Sequence, residues 1–153
     1  MATRTRQRAG HDLLGVYLND HLAGATGGIE LARRMAASAE PGSEAADILR
    51  KLVAEIAADR NALIRIMGAL AIPLRSYKVF AAWAGEKAAR LKLNGHLMTR
   101  SPLSSLEELE ILRLGVEGKA AGWRTLRVLA ERDSRLDAEG LDLLLARATR
   151  QSV

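Results

Sequence analysis

Cysteine is absent from this chain. That absence excludes disulfides, thiolate metal centres and cysteine nucleophiles together. Aromatic residues are almost absent too, with two Trp, two Tyr and one Phe in 153 residues. The core must therefore rest on Leu, Ala, Ile, Val and Met. Ala and Leu are the strongest apolar helix formers, while strands favour the β-branched and aromatic types that are scarce here. No run of about 18 apolar residues exists, so no membrane span is expected. The first residues, Met1 to Arg8, carry arginines with no apolar stretch behind them and do not read as a secretory signal. These absences together fit a cytoplasmic, all-α protein.

Charge of both signs is plentiful. Lys and Arg number 23 against 18 Asp and Glu, which gives a net charge of +5. Eighteen of the cations are Arg. Two readings fit this bias: a GC-rich genome, or a basic surface that meets nucleic acid or an acidic partner. The basic residues do not cluster beyond the N-terminus, and acidic residues interleave along the chain. No short helix-turn-helix spacing, zinc ligand set or aromatic RNA-binding strand is present. Nucleic-acid binding would then mean non-specific phosphate contact through scattered arginines.

Along the chain, residues 1–9 read as a mobile basic arm and residues 10–153 as one helical domain. A helical apolar period covers about 10–38 and crosses Gly24, Gly27 and Gly28. Each glycine costs a helix about 1 kcal/mol relative to Ala. Gly24 and Gly28 are therefore expected at a close helix–helix contact. Pro41-Gly42-Ser43 is a turn followed by an N-cap, with Glu44 and Asp47 in the first helical turn. A second helix is expected over 44–71, ending before Pro73. Ser76 opens a shorter helix over 77–92, and Asn94-Gly95 stops it. Ser101-Pro102, with Ser104 and Glu107 or Ser105 and Glu108 as a capping box, opens a helix over 103–132. Asp137 caps a last short helix over 138–150, with Leu136 stapled to Leu141.

Projection at about 100° per residue sorts the faces. The first helix gathers Leu14, Leu18, Leu22, Ala25, Ile29, Ala32 and Ala36, with Tyr17, His21 and Gly28 on the flank. The second gathers Leu49, Leu52, Val53, Ile56, Leu63, Met67 and Leu70, with Arg60 inside the stripe and Asp59 at its edge. The next long helix gathers Leu109, Leu112, Val116, Ala120, Trp123 and Ala130, and Lys119 intrudes there. Leu141, Leu144, Leu145 and Ala148 form the last stripe. Trp83 and Trp123 read as core or interface anchors.

Two long helices, a long connection with its own short helix, another long helix and a final one make an up-down four-helix bundle with a long crossover. This order and these lengths resemble the ferritin-like superfamily. That family's di-iron members use Glu-x-x-His motifs. Here the residues three before His11, His21 and His96 are Arg8, Leu18 and Leu93, so the resemblance carries no metal motif to any position.

A degenerate iron or manganese site remains an alternative, built from His21, Glu55, Asp59 and Glu117. The competing expectation is an interior polar cluster of His21, Arg60, Glu117 and Asp20, in which Arg60 pairs with Asp20 or Glu117. No Gly-x-Ser-x-Gly elbow is present, and Gly24 to Gly28 has no preceding strand or following Lys-Ser/Thr for a phosphate loop. No catalytic residue and no cofactor is therefore expected. The function expected from sequence is a non-enzymatic bundle acting through self-association or a protein partner. Leu31, Ile111, Leu114, Leu129 and Val16 lie off their stripes, so a homodimer through helix surface near Leu114 or Leu31 is expected.

Overall fold

A turn and a cap set the first hairpin. Helix α1 spans Ala2–Ser38 and α2 spans Glu44–Ala69. Between them Gly42 adopts a left-handed φ of +80°, which a residue without Cβ takes at little cost. The Ser43 hydroxyl then accepts from the Ala46 amide at 3.2 Å. Glu44 and Asp47 stand in the first turn, where the helix dipole favours anions. The computed structural model describes residues 2–75 and 102–152. These form four helices and, among the described residues, no strand.

Helix α2 ends in a Schellman-type closure. Ile72 N donates to Met67 O at 2.9 Å, and Ala71 N to Gly68 O at 3.0 Å. Ala71 takes a left-handed φ of +57° to allow this, a conformation that costs an L-residue about 1 kcal/mol. The burial of Ile72 offsets that cost. Asn19 of α1 then holds the following segment, donating to Pro73 O and accepting from Arg75 N.

Helix α3 spans Pro102–Ala130, starting at the Ser-Pro signal, and α4 spans Ala138–Gln151. The Asp137 carboxylate accepts from Gly140 N at 3.0 Å. Leu136 and Leu141 are both buried in one core group, as the staple requires.

Cross-helix pairs give the directions. Arg60 meets Thr26 and His11 meets the Leu70 carbonyl, so α1 and α2 are antiparallel. Tyr17 meets Thr125 and His21 meets the Gly118 carbonyl, so α3 is also antiparallel to α1. Arg127 with Asp142, and Lys119 with Gln151, make α4 antiparallel to α3. Helices α2 and α3 therefore run in the same sense, and α2 ends where α3 does, at the opposite end from the start of α3.

The core divides in two. One group joins all four helices through Leu18, Leu63, Met67, Trp123, Leu126 and Leu141. The other lies toward the α1–α2 turn, where Ile29, Met35, Ile56 and Leu112 pack with no residue from α4. Helix α4 is too short to reach that end. Leu109, expected in the stripe, is consequently half exposed there.

Two further differences from the sequence reading have simple causes. The helical backbone of α1 already covers residues 2–9, since Ala, Arg and Gln continue a helix readily. Leu31, offered as a dimer contact, is buried with Met35 on a flank of α1. The expected helix over 77–92, Trp83 within it, and the stretch 94–101 lie outside the described residues.

Candidate functional site

The most buried charge among the described residues is Asp59, at 1 % exposure. Its Oδ2 accepts from Lys119 Nζ at 2.7 Å and its Oδ1 from Arg147 Nη1 at 2.9 Å. Lys119 also donates to Gln151 Oε1, and Gln151 Nε2 donates to Glu55 Oε2 at 2.7 Å. Two carboxylates, two cations and one amide thus tie α2, α3 and α4 together. The charges balance, as burial demands. Arg147 and Gln151 lie four apart, so they share one face of α4 and reach the network together.

This arrangement reverses the expected order on α2. Asp59 is inside, and Arg60 sits at the edge, where its Nε donates to Thr26 Oγ1 at 2.9 Å. The cause is Ala62, which is buried on the far flank of Asp59. A projection weighted by large side chains misplaces the centre of such a face. Asp20 and Glu117, the expected partners of Arg60, are both exposed.

His21 lies between two backbone carbonyls. Its Nδ1 is 3.0 Å from Tyr17 O and its Nε2 is 3.1 Å from Gly118 O. A carbonyl only accepts, so each bond requires an N–H on the ring. A neutral imidazole makes one of them, and the doubly protonated ring makes both. The Tyr17 ring tilts against it at a centroid distance of 4.3 Å. On the other side, a Cβ added at Gly122 would fall 2.7 Å from His21 Cδ2.

The four residues proposed as metal ligands therefore do not converge. Glu55 is engaged by Gln151, Asp59 by two cations, His21 by carbonyls, and Glu117 faces solvent. Among the described residues, no group of three His, Asp or Glu is placed to hold a metal ion. The same holds for the expected polar cluster, since His21 and Arg60 bond to separate partners. Sequence reasoning missed Arg147 and Gln151 and noticed Lys119 only as an intruder. Their one signal is a charged and an amide side chain flanking the Leu144–Ala148 stripe.

The close approach expected at Gly24 and Gly28 occurs at Gly122 instead. Gly24 is exposed, and a Cβ at either position in α1 would meet no atom within 4 Å. These two glycines therefore carry only their helix cost. The double variant Gly24→Ala with Gly28→Ala should gain about 1–2 kcal/mol and melt several degrees higher by circular dichroism. A lower melting temperature would show that the space is needed.

One more pair acts outside the core. Asp133, in the α3–α4 connection, accepts from the Arg135 guanidinium and from the Arg135 amide. The hydrogen bond from the Arg135 side chain is the main cause that holds the Asp133 carboxyl down at about 2. Among the described residues, the buried Trp123 indole N–H has no hydrogen-bond partner.

The outer side of α3 is the other feature of note. Leu103, Leu106, Ile111, Leu114 and Val128 are between 45 % and 70 % exposed. Comparison with protein-family models, with curated proteins and with solved structures finds no match for this chain. No helix among the described residues is long and apolar enough to cross a membrane.

Proposed function

We propose that this chain is a ferritin-like helical bundle that acts by association rather than by catalysis, and that its first partner is a second copy of itself. The carrying observation is the set of exposed large apolar side chains on the outer side of α3, Leu103, Leu106, Ile111 and Leu114 in its first half and Val128 near its end. Exposed large apolar side chains gathered on one helix mark an interaction face, and a symmetric dimer is the commonest way to cover one. The ferritin-like reading draws support from the helix directions. Two antiparallel helices precede a long connection, α3 runs in the sense of α2, and α4 returns.

The iron or manganese alternative is weakened by donor chemistry. Lys119 and Arg147 already neutralise Asp59, and two cations beside a carboxylate repel a third. The nucleic-acid alternative rests on net charge alone.

Light scattering after size exclusion tests the proposal. At tens of micromolar, the wild type should run at twice its 16.5 kDa chain mass. Leu114→Asp places a charge on a side chain that is 70 % exposed and outside the core. It should leave the helix content unchanged and give a single-chain mass. A wild type that elutes with the mass of one chain refutes the proposal.

A further inference from the structure

Short side chains leave a gap between α1 and α2. Thr26, Glu30 and Arg33 from α1 and Ala57, Arg60 and Asn61 from α2 line a cavity of about 210 Å³ that opens to solvent. Pockets that hold drug-sized ligands run to roughly 300–1,000 Å³, so this one suits a single small polar group. Its lining sets two cations, Arg33 and Arg60, against one carboxylate, Glu30, for a net charge of +1.

Arg60 is half-buried there, and one edge of its fork is fixed. The Thr26 hydroxyl donates to Leu22 O at 3.0 Å and accepts from Arg60 Nε at 2.9 Å. A guanidinium carries five N–H donors. The four on the Nη atoms of Arg60 meet no acceptor, and no carboxylate pairs with them, among the described residues. A partly desolvated cation without a counter-ion is costly, and an anion in the cavity supplies one. Arg33 Nη1 donates to Glu30 Oε1 at 2.7 Å, with both side chains more than half exposed. Such a surface pair is weak, and it leaves the Nε and Nη2 of Arg33 to donate elsewhere. The Asn61 amide adds a neutral donor beside Arg60.

We infer that this cavity binds the phosphate group of a small phosphate monoester. Three terminal oxygens accept from donors on both helices at once, and a guanidinium fork matches two of them together. A carboxylate offers only two oxygens and leaves one helix unserved. Glu30 opposes any anion by its like charge, which keeps the binding weak and exchangeable. Every lining residue belongs to α1 or α2 of one chain. The site therefore stands apart from α3 and from the association proposed above.

Titration of the full-length protein with inorganic phosphate, at fixed pH and ionic strength, tests this through the NMR signals of Arg60 Nε–H and the Asn61 amide. Both should shift and saturate with a Kd of about 1 mM. Chloride and acetate over the same range should not saturate them. Arg60→Gln, read at Asn61, should weaken phosphate binding about tenfold. Glu30→Gln should tighten it about threefold by removing the like charge. Ala57→Leu keeps every charge but fills the gap, so it should abolish saturation while circular dichroism shows unchanged helix content. Arg124→Gln removes the same charge from an exposed position on α3 and should bind phosphate as the wild type does. Shifts that never saturate, acetate binding equal to that of phosphate, or equal losses in Arg60→Gln and Arg124→Gln would each overturn the site. A short DNA single strand provides the other source of phosphate. If it moves these signals at lower concentration than inorganic phosphate, and does so equally in Ala57→Leu, the contact is an outer surface meeting a nucleic-acid backbone and the cavity is not the site.

Discussion

Asp59→Ala should lower stability by about 3–5 kcal/mol, the range for a buried ion pair that loses one partner. In a domain of this size, the melting temperature should fall by roughly 10 °C or more. The effect is large because of what remains. Lys119 is 12 % exposed and Arg147 is 31 % exposed, and both lose the carboxylate that neutralises them. Lys119 keeps only the Gln151 amide oxygen. Two cations then remain with Glu55 as the network's one carboxylate, which Lys119 reaches only through Gln151. Lys119→Met should be milder, since Asp59 keeps Arg147 and no carboxylate is stranded. Replacing Asp59, Lys119 and Arg147 together with Leu, Met and Met should cost least of all, because an apolar trio has nothing to desolvate. Chemical denaturation at one fixed protein concentration checks the series, since self-association makes stability depend on concentration. If Asp59→Ala melts within a degree or two of wild type, the network is not what fixes α4 on the bundle.

The ordering of these variants also bears on why charge is in the core at all. Leu141, Leu144 and Ala148 of α4 can slide along an apolar groove with little penalty. Arg147 and Gln151 cannot, because Arg147 meets Asp59 on α2, and Gln151 meets Glu55 on α2 and Lys119 on α3. The apolar trio should therefore fold as stably while holding α4 less firmly in register.

Much of this fold was legible because its signals are local. Ser43 and Asp137 cap where their side chains and the following sequence require. Leu18, Ile29, Ile56, Met67, Val116 and Leu141 fall on the buried faces that a period of 3.6 assigns to them. The site was less legible because it depends on which helix lies opposite. Whether Asp59 or Arg60 points inward turns on where α3 and α4 sit against α2, and Ala62 gives little hint of that. Glu117 and Asp20 have the right chemistry for interior partners, yet their helix faces look outward. The same dependence governs the glycines. Nothing in the local sequence separates Gly122 from Gly24, Gly28 or Gly118. Only the arrival of His21 from α1 does so.

That arrival makes Gly122 the position in α3 least able to accept a side chain. Gly122→Val should destabilise by about 3 kcal/mol, at the upper end of the usual cost of overpacking. Gly122→Ala should lose about 1–2 kcal/mol, because the gain in helix propensity offsets part of the clash. The first added carbon would lie 2.7 Å from His21 Cδ2 and 3.0 Å from its Nε2. A flexible side chain would move aside, but this ring is held. The Tyr17 and Gly118 carbonyls face its two nitrogens at 3.0 and 3.1 Å, and the Tyr17 ring closes a further side. Relief must come from separating α1 and α3, which opens the core beside Leu18 and Trp123. Removing the ring should remove the conflict. In a His21→Ala background, Gly122→Val should cost about 1–2 kcal/mol less than it does alone, a coupling of the size expected for residues in direct contact. Thermal unfolding of the four proteins of this cycle measures it. Should Gly122→Ala melt above wild type, as Gly24→Ala is expected to, α1 and α3 are not in close contact at this position.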